Sequence, residues 1–173
     1  PSGRPSELRA LAAPDGADMR AANATGRASP AGAGAVLAAF ADHLAQNPDA
    51  VAVTDARTSL TRAGLDTRAT AIARRLARAG ARPERVVGLL LERACDLPAA
   101  WLAVLRTGAA ILPLNPELPA ARLAALAAEA DLLLTQPALA DRHPDLADAA
   151  GRPPLVLHAD PHAAPGADAN HND

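Results

Sequence analysis

The chain has 173 residues, of which 50% are hydrophobic but only 1% aromatic, and it carries a formal net charge of −2. That length admits one domain of ordinary size, and the near-neutral charge gives no reason to expect nucleic acid or an acidic partner. All 17 basic residues are arginine, so chemistry that needs a lysine cannot be completed by this sequence.

Leu, Val, Ile and Phe make up roughly a fifth of the chain, near the composition at which a core fails to form. Before Val36 they are only Leu8 and Leu11, and after His158 there are none, so a core is expected between those limits. The single cysteine, Cys95, excludes an internal disulfide and fits a reducing compartment. No signal-peptide pattern opens the chain and no apolar run reaches membrane-spanning length, so no membrane is expected and the cytoplasm is the default location. An opening Pro1 in place of Met suggests a piece of a longer polypeptide.

Residues 1–34 read as a linker, with Pro1, Pro5, Pro14 and Pro30 scattered among Gly, Ala and Ser. Order is expected from residue 35. Val36, Leu37, Phe40 and Leu44 share one helical face, and Asn47-Pro48-Asp49 ends that helix because the residue before proline is pushed from the helical region. Ala50–Thr54 reads as a short strand. The clearest helix follows, with Leu65, Ala69, Ile72, Leu76 and Ala79 at helical spacing and Arg62, Arg68, Arg75 and Arg78 on other faces. Thr61 is its expected N-cap and Gly80 its C-terminal cap.

Val86–Leu91 is a continuous apolar run, which suits a strand buried on both faces. Asp96–Arg106 is apolar nearly all round and predicts a buried helix with Pro98 in its first turn and Gly108 at its end. Ala110–Leu114 is a strand whose Pro113 belongs at an edge or an end. Pro119 starts a helix carrying Leu123, Leu126 and Ala127. Leu132–Thr135 is another buried strand, Ala138–Arg142 a short helix and Leu155–His158 a last strand. The alternation predicts an α/β fold with mainly parallel strands. Residues 159–173, polar and Ala-rich, read as a disordered tail.

Six stretches carry a family resemblance. Asn47-Pro48-Asp49-Ala50-Val51-Ala52-Val53 resembles the "TPDAVAV" near the start of adenylation domains. Ser59–Leu65 resembles their first core motif, "LTYAEL", and Val87–Arg93 resembles "VGICLERS". Leu105–Pro116 resembles the second core motif, "LKAGGAYVPLDP". Pro119–Leu123 and Leu132–Gln136 are similar to "PAERL" and "LLLTQ". Upstream, Asn23-Ala24-Thr25 resembles the "WNAT" of the linker that joins a condensation domain to an adenylation domain. The order and spacing of these motifs over residues 36–158 resemble the adenylation domains of nonribosomal peptide synthetases, within the AMP-binding, adenylate-forming ligase superfamily.

The resemblance implies the N-terminal part of that α/β core, with its sheets left incomplete. For the parent domain it implies ATP and Mg²⁺, activation of an amino acid as its adenylate with release of pyrophosphate, and transfer to a carrier-protein thiol. The implied partners are the rest of the adenylation domain and condensation and carrier domains in cis. The family's phosphate loop, a Ser/Thr/Gly-rich run ending in lysine, is missing, as are its ribose-binding Asp and C-terminal lysine. No residue is therefore assigned a catalytic, cofactor-binding or metal-binding role, and the chain alone is expected to be inactive. Two alternatives stay open: a piece of an acyl-CoA or aryl-acid ligase, and a non-catalytic remnant or half-enzyme that acts as an interaction module.

There are departures from the family pattern. Gly64 stands where the family has the Glu of a capping box, Arg62 replaces Tyr, and Asn115 replaces Asp. Loss of that Glu removes the reciprocal hydrogen bond. Glycine at this position also weakens a helix by about 0.5–1 kcal/mol relative to Ala.

Other features have plain readings. The arginine-rich helix, continuing to Arg82 and Arg85, is expected to be a solvated face, since aromatic stacking partners for nucleic acid are missing. Cys95 is expected to pack, having no matched base, and Trp101 is expected in the core. His158, His162 and His171, among Asp160, Asp168 and Asp173, are too loosely spaced for a metal site. Asn23-Ala24-Thr25 fits a glycosylation acceptor, which a cytoplasmic linker would not use, and Gly32-Ala33-Gly34 is too short for a phosphate loop.

Overall fold

Leu65, Ala69, Ile72 and Leu76 recur at helical spacing, and all four are buried along one helix. The computed structural model describes residues 33–146, 151 and 153–157. In chain order these form helix α1 (Ala33–Gln46), strands β1 (Val51–Thr54) and β2 (Ser59–Thr61), helix α2 (Arg62–Arg78), strand β3 (Val86–Leu90), helix α3 (Asp96–Thr107) and strand β4 (Ala110–Leu114). Helix α4 (Ala120–Ala127), strand β5 (Leu132–Thr135), helix α5 (Pro137–Arg142) and strand β6 (Leu155–Val156) complete them.

β1 and β2 pair antiparallel, while the other four strands form a parallel sheet in the order β4-β3-β5-β6. The chain leaves central β3 for β4 on one side, then crosses back to β5 on the other. Right-handed crossovers in opposite directions place their helices on opposite faces. The core divides accordingly. Val87, Leu89, Leu132 and Leu134 pack with α2 and α3 on one face. Leu90, Leu114 and Leu133 pack with Leu123, Ala127 and Leu139 of α4 and α5 on the other. The α/β, mainly parallel expectation is borne out, and β4 has no outer partner strand among the described residues.

α2 is closed at both ends by its own sequence. Thr61 Oγ1 accepts a hydrogen bond from Gly64 N at 3.1 Å, half of a capping box. At the other end Gly80 has φ 99°, and Ala81 N and Gly80 N donate to Leu76 O and Ala77 O. That pair of bonds is a Schellman cap, which glycine makes without steric cost. Gly108 ends α3 in the same left-handed region, with φ 75°. Pro113 lies on edge strand β4, where its missing N–H costs no ladder bond.

Four expectations are corrected. Trp101 is 45% exposed rather than core. α3 turns Ala99, Ala100, Ala103 and Val104 inward, and this close-packed side leaves no slot for an indole. Val36, expected on the inner face of α1, is 53% exposed, while Leu37 and Phe40 pack against the core. β2 was not expected as a strand, because three residues are too few to display alternation. Finally, the arginines of α2 are not all a solvated face. Arg62 Nη1 caps the end of α1 through His43 O at 2.8 Å, and Arg75 Nη2 donates to Val156 O at 2.7 Å. Arg68 pairs with Asp96 at 2.5 Å, with both side chains mostly buried. Residues 1–32, His158 and the proposed tail lie outside the described residues.

Gly64 is not conformationally required. A Cβ there would meet nothing closer than Thr61 Oγ1 at 3.5 Å, an ordinary contact. Gly64→Ala is therefore expected to raise stability by about 0.5–1 kcal/mol, seen as a higher denaturant midpoint with an unchanged m-value. Gly108→Ala should lower it, because a Cβ there meets Pro83 Cγ at 3.0 Å in a left-handed conformation.

Candidate functional site

In a doubly wound parallel sheet, the loops at the carboxyl ends of two strands diverge where the chain reverses direction, and ligands bind in the crevice that opens there. Here that point lies between β3 and β5. A cleft of about 460 Å³ occupies it, lined by the β1–β2 turn, the loop after β3, the start of α3 and the residues after β5. The volume falls within the range of small-molecule sites.

Asp55 organises one wall. An Asp at the start of a turn accepts from amides two and three residues on, and its Oδ1 takes bonds from Arg57 N at 2.8 Å and Thr58 N at 2.9 Å. Its Oδ2 takes a third from Cys95 N at 2.8 Å, across the cleft floor. The Cys95 amide first, and the Arg57 amide next, hold the Asp55 carboxyl down at about 2.

Cys95 sits buried behind this wall, its Sγ donating to Thr58 O at 3.3 Å. Burial first, and the neighbouring Asp55 carboxylate next, push its thiol up to about 11. A thiol so protonated is a packing group rather than a nucleophile, as its lack of a matched base implied.

The second wall is a polar relay. Arg68 Nε of α2 donates to Asp96 Oδ1 at 2.5 Å, Gln136 Nε2 donates to Asp96 Oδ2 at 3.1 Å, and Glu92 N donates to Gln136 Oε1 at 3.2 Å. Asp96 lies in the first turn of α3, where a negative charge is favoured by the helix dipole. The relay ties α2, α3 and the ends of β3 and β5 at one point. It can fix the shape of the cleft; it offers no nucleophile.

Of these cleft residues, the sequence marked Cys95 as a packing group and Arg68 as an outward helix position. It gave no role to Asp55, Asp96 or Gln136. Asp55-Ala56-Arg57-Thr58 does carry a turn signature between two apolar runs, which is the signal available for that wall. Asp96 and Gln136 meet only through folding, 40 residues apart. The remaining sequence candidates are not brought together. Ala33 and Gly34 belong to the start of α1, and Gly32, Asn23-Ala24-Thr25 and the histidines from His158 onward lie outside the described residues. Among the described residues no three His, Cys, Asp or Glu side chains converge as metal ligands, and no helix is long and apolar enough to cross a membrane.

The match to known proteins runs through the same elements. Residues 40–172 match the model of the AMP-binding enzyme family. The chain belongs to that family. One of the linear gramicidin synthase proteins of Brevibacillus parabrevis is 38% identical over 124 residues, covering 70% of this chain and 2% of that protein. Phosphinothricin tripeptide synthetase PhsC of Streptomyces viridochromogenes is 39% identical over 103 residues, covering 58% of this chain and 10% of its own length.

Among solved structures, the nonribosomal peptide synthetase FmoA3 bound to alpha-methyl-L-serine-AMP aligns with a TM-score of 0.64 at 30% identity. That alignment covers 81% of this chain and 15% of FmoA3. The chain thus spans a small part of the relatives it matches, and the resemblance to an adenylation domain of nonribosomal peptide synthetases is borne out.

The depressed carboxyl of Asp55 makes a pH prediction for this AMP-binding family member. Its folded value of about 2 lies below the ordinary 3.8. Its contribution to stability is therefore complete above about pH 4 and is lost as pH falls towards 2. The stability deficit of Asp55→Asn relative to wild type should be largest at neutral pH and shrink across that acid window. A deficit independent of pH would exclude the carboxylate as its source.

Proposed function

We propose that residues 35–158 are the N-terminal portion of an amino-acid-activating adenylation domain of nonribosomal peptide synthesis and serve it as scaffold. The parent reaction joins an amino acid to ATP as an aminoacyl-adenylate, releases pyrophosphate and passes the acyl group to a carrier-protein thiol. The observation that supports this most directly is the likeness to FmoA3, a synthetase solved with an aminoacyl-AMP, over most of this chain. Its partners in this reading are the rest of the adenylation domain and condensation and carrier domains in cis, with residues 1–34 as the linker between domains.

The residues of this chain position; they do not react. Adenylyl transfer develops charge that must be met by fixed cations and amide donors, and the family's lysines have no counterpart among 17 basic residues that are all arginine. The Cys95 thiol stays protonated and buried. What the chain contributes is the doubly wound sheet, the fixed ends of β3 and β5 and a rigid floor for neighbouring segments.

Amino-acid-dependent ATP–pyrophosphate exchange tests this reading. The 173-residue chain alone should give no exchange above background with any amino acid, and the complete synthetase carrying this sequence should exchange with a defined one. Exchange by the chain alone would refute the scaffold role. A complete protein that activates only fatty or aryl acids would refute the assigned substrate class.

A further inference from the structure

α1 is seated differently from the other described helices. α2, α3, α4 and α5 each sink at least one side chain into the core. No residue of α1 from 34 to 46 is buried. It rests on α2 and α3, with Leu37 and Phe40 half-buried against the core and Leu44 half-buried one turn further on. Those three side chains, three and four residues apart, form one stripe. Most of the exposed remainder is alanine, and the first turn carries no acidic residue to meet the helix dipole.

The polar ties of α1 gather at its carboxyl end. Arg62 Nη1 donates to His43 O at 2.8 Å and to Asn47 O at 3.3 Å. Just past the helix, Ala50 N donates to Asn47 Oδ1 at 3.1 Å, Arg62 N to Ala50 O at 2.9 Å and Ala63 N to Pro48 O at 3.0 Å. Residues 47–50 are thus bonded to the start of α2. Pro48 disfavours helical backbone at Asn47, so α1 and β1 are separate rigid pieces. α1 hangs from a fixed pivot.

A surface helix can simply fray, and fraying proceeds turn by turn from a free end. The stripe of α1 spans residues 37–44, so lifting one of its side chains lifts the others. A helix of 14 residues is also marginal on its own in water, which makes its seat and its helicity one event. We propose that α1 is a strap that opens as one unit about Asn47–Asp49 while the parallel sheet stays folded, with Arg62 as its latch. Opening bares the faces of α2 and α3 that α1 covers. This inference rests on α1 and its seat alone and stands whether or not the amino-acid-activating role is correct.

Native-state hydrogen exchange of the 173-residue chain in low denaturant tests it, with the variants Arg62→Met, Arg74→Met and Gly64→Ala. The α1 amides should share one opening whose denaturant slope lies well below that of the β3 amides. Arg62→Met should speed α1 exchange at least about 10-fold. Arg74→Met, which removes a charge from an exposed position of α2, should leave it unchanged. Gly64→Ala acts on openings in which α2 unfolds, so it should slow the β3 amides about 2- to 5-fold and not the α1 amides. If α1 exchange slows together with β3 in Gly64→Ala, α1 opens only with the whole fold and the proposal fails. Rates graded residue by residue along α1 would overturn it as well, being the mark of fraying. An Arg62→Met effect no larger than that of Arg74→Met would remove the latch.

Discussion

Strand β3 is the part on which the rest of this structure depends. It pairs with β4 on one side and β5 on the other, and four of its five residues are buried. Gly88 sits at its centre, where a Cβ would lie 3.2 Å from Ala130 Cβ and from the Cδ1 atoms of Leu114 and Leu133. The three neighbours fill the space a side chain would take, so the strand meets the α4 side closely at that point. On the opposite face Val87 and Leu89 supply the bulk that meets α2 and α3. Full burial of each such side chain contributes about 1.5–3 kcal/mol. In a chain with so few large apolar residues, these few positions hold both layers.

Polar ties finish the sheet at its two ends, and they differ in kind. At the amino end Asp131 is ion-paired with Arg85 and accepts from Val86 N at 2.8 Å, while its own N–H donates to Val86 O. That cluster locks the start of β3 beside the start of β5. At the carboxyl end Asp55, Asp96 and Gln136 fasten loops rather than strands. A cleft remains between the fastened loops. One end of the sheet is thus tied strand to strand, and the other is a rim of fastened loops around the cleft.

The sequence disclosed elements whose signal is local. α2 was legible because its apolar stripe, Thr61 cap and Gly80 stop all agree. β3 and β5 were legible because an apolar run bounded by turns suits a strand covered on both faces. Trp101 misled because an all-apolar helix does not say which side faces the core; alanines won that side by allowing α3 to approach α2 closely. The cleft was not legible. Its polar contacts join Asp55 to Cys95 and Asp96 to Gln136, each pair 40 residues apart. Spacing along a chain carries no record of such meetings. The family motifs identified the scaffold without marking these contacts, since their role is to hold loops in place.

Native-state hydrogen exchange tests the central place of β3 most directly. Amides of the most deeply packed elements open only with global unfolding, whereas peripheral elements open earlier. The amides of β3, with those of β5 that bond to it, should exchange slowest and share one opening free energy, while α1 and the β1–β2 pair exchange sooner. Exchange of the β3 amides as fast as those of α1 would contradict a fold organised around that strand.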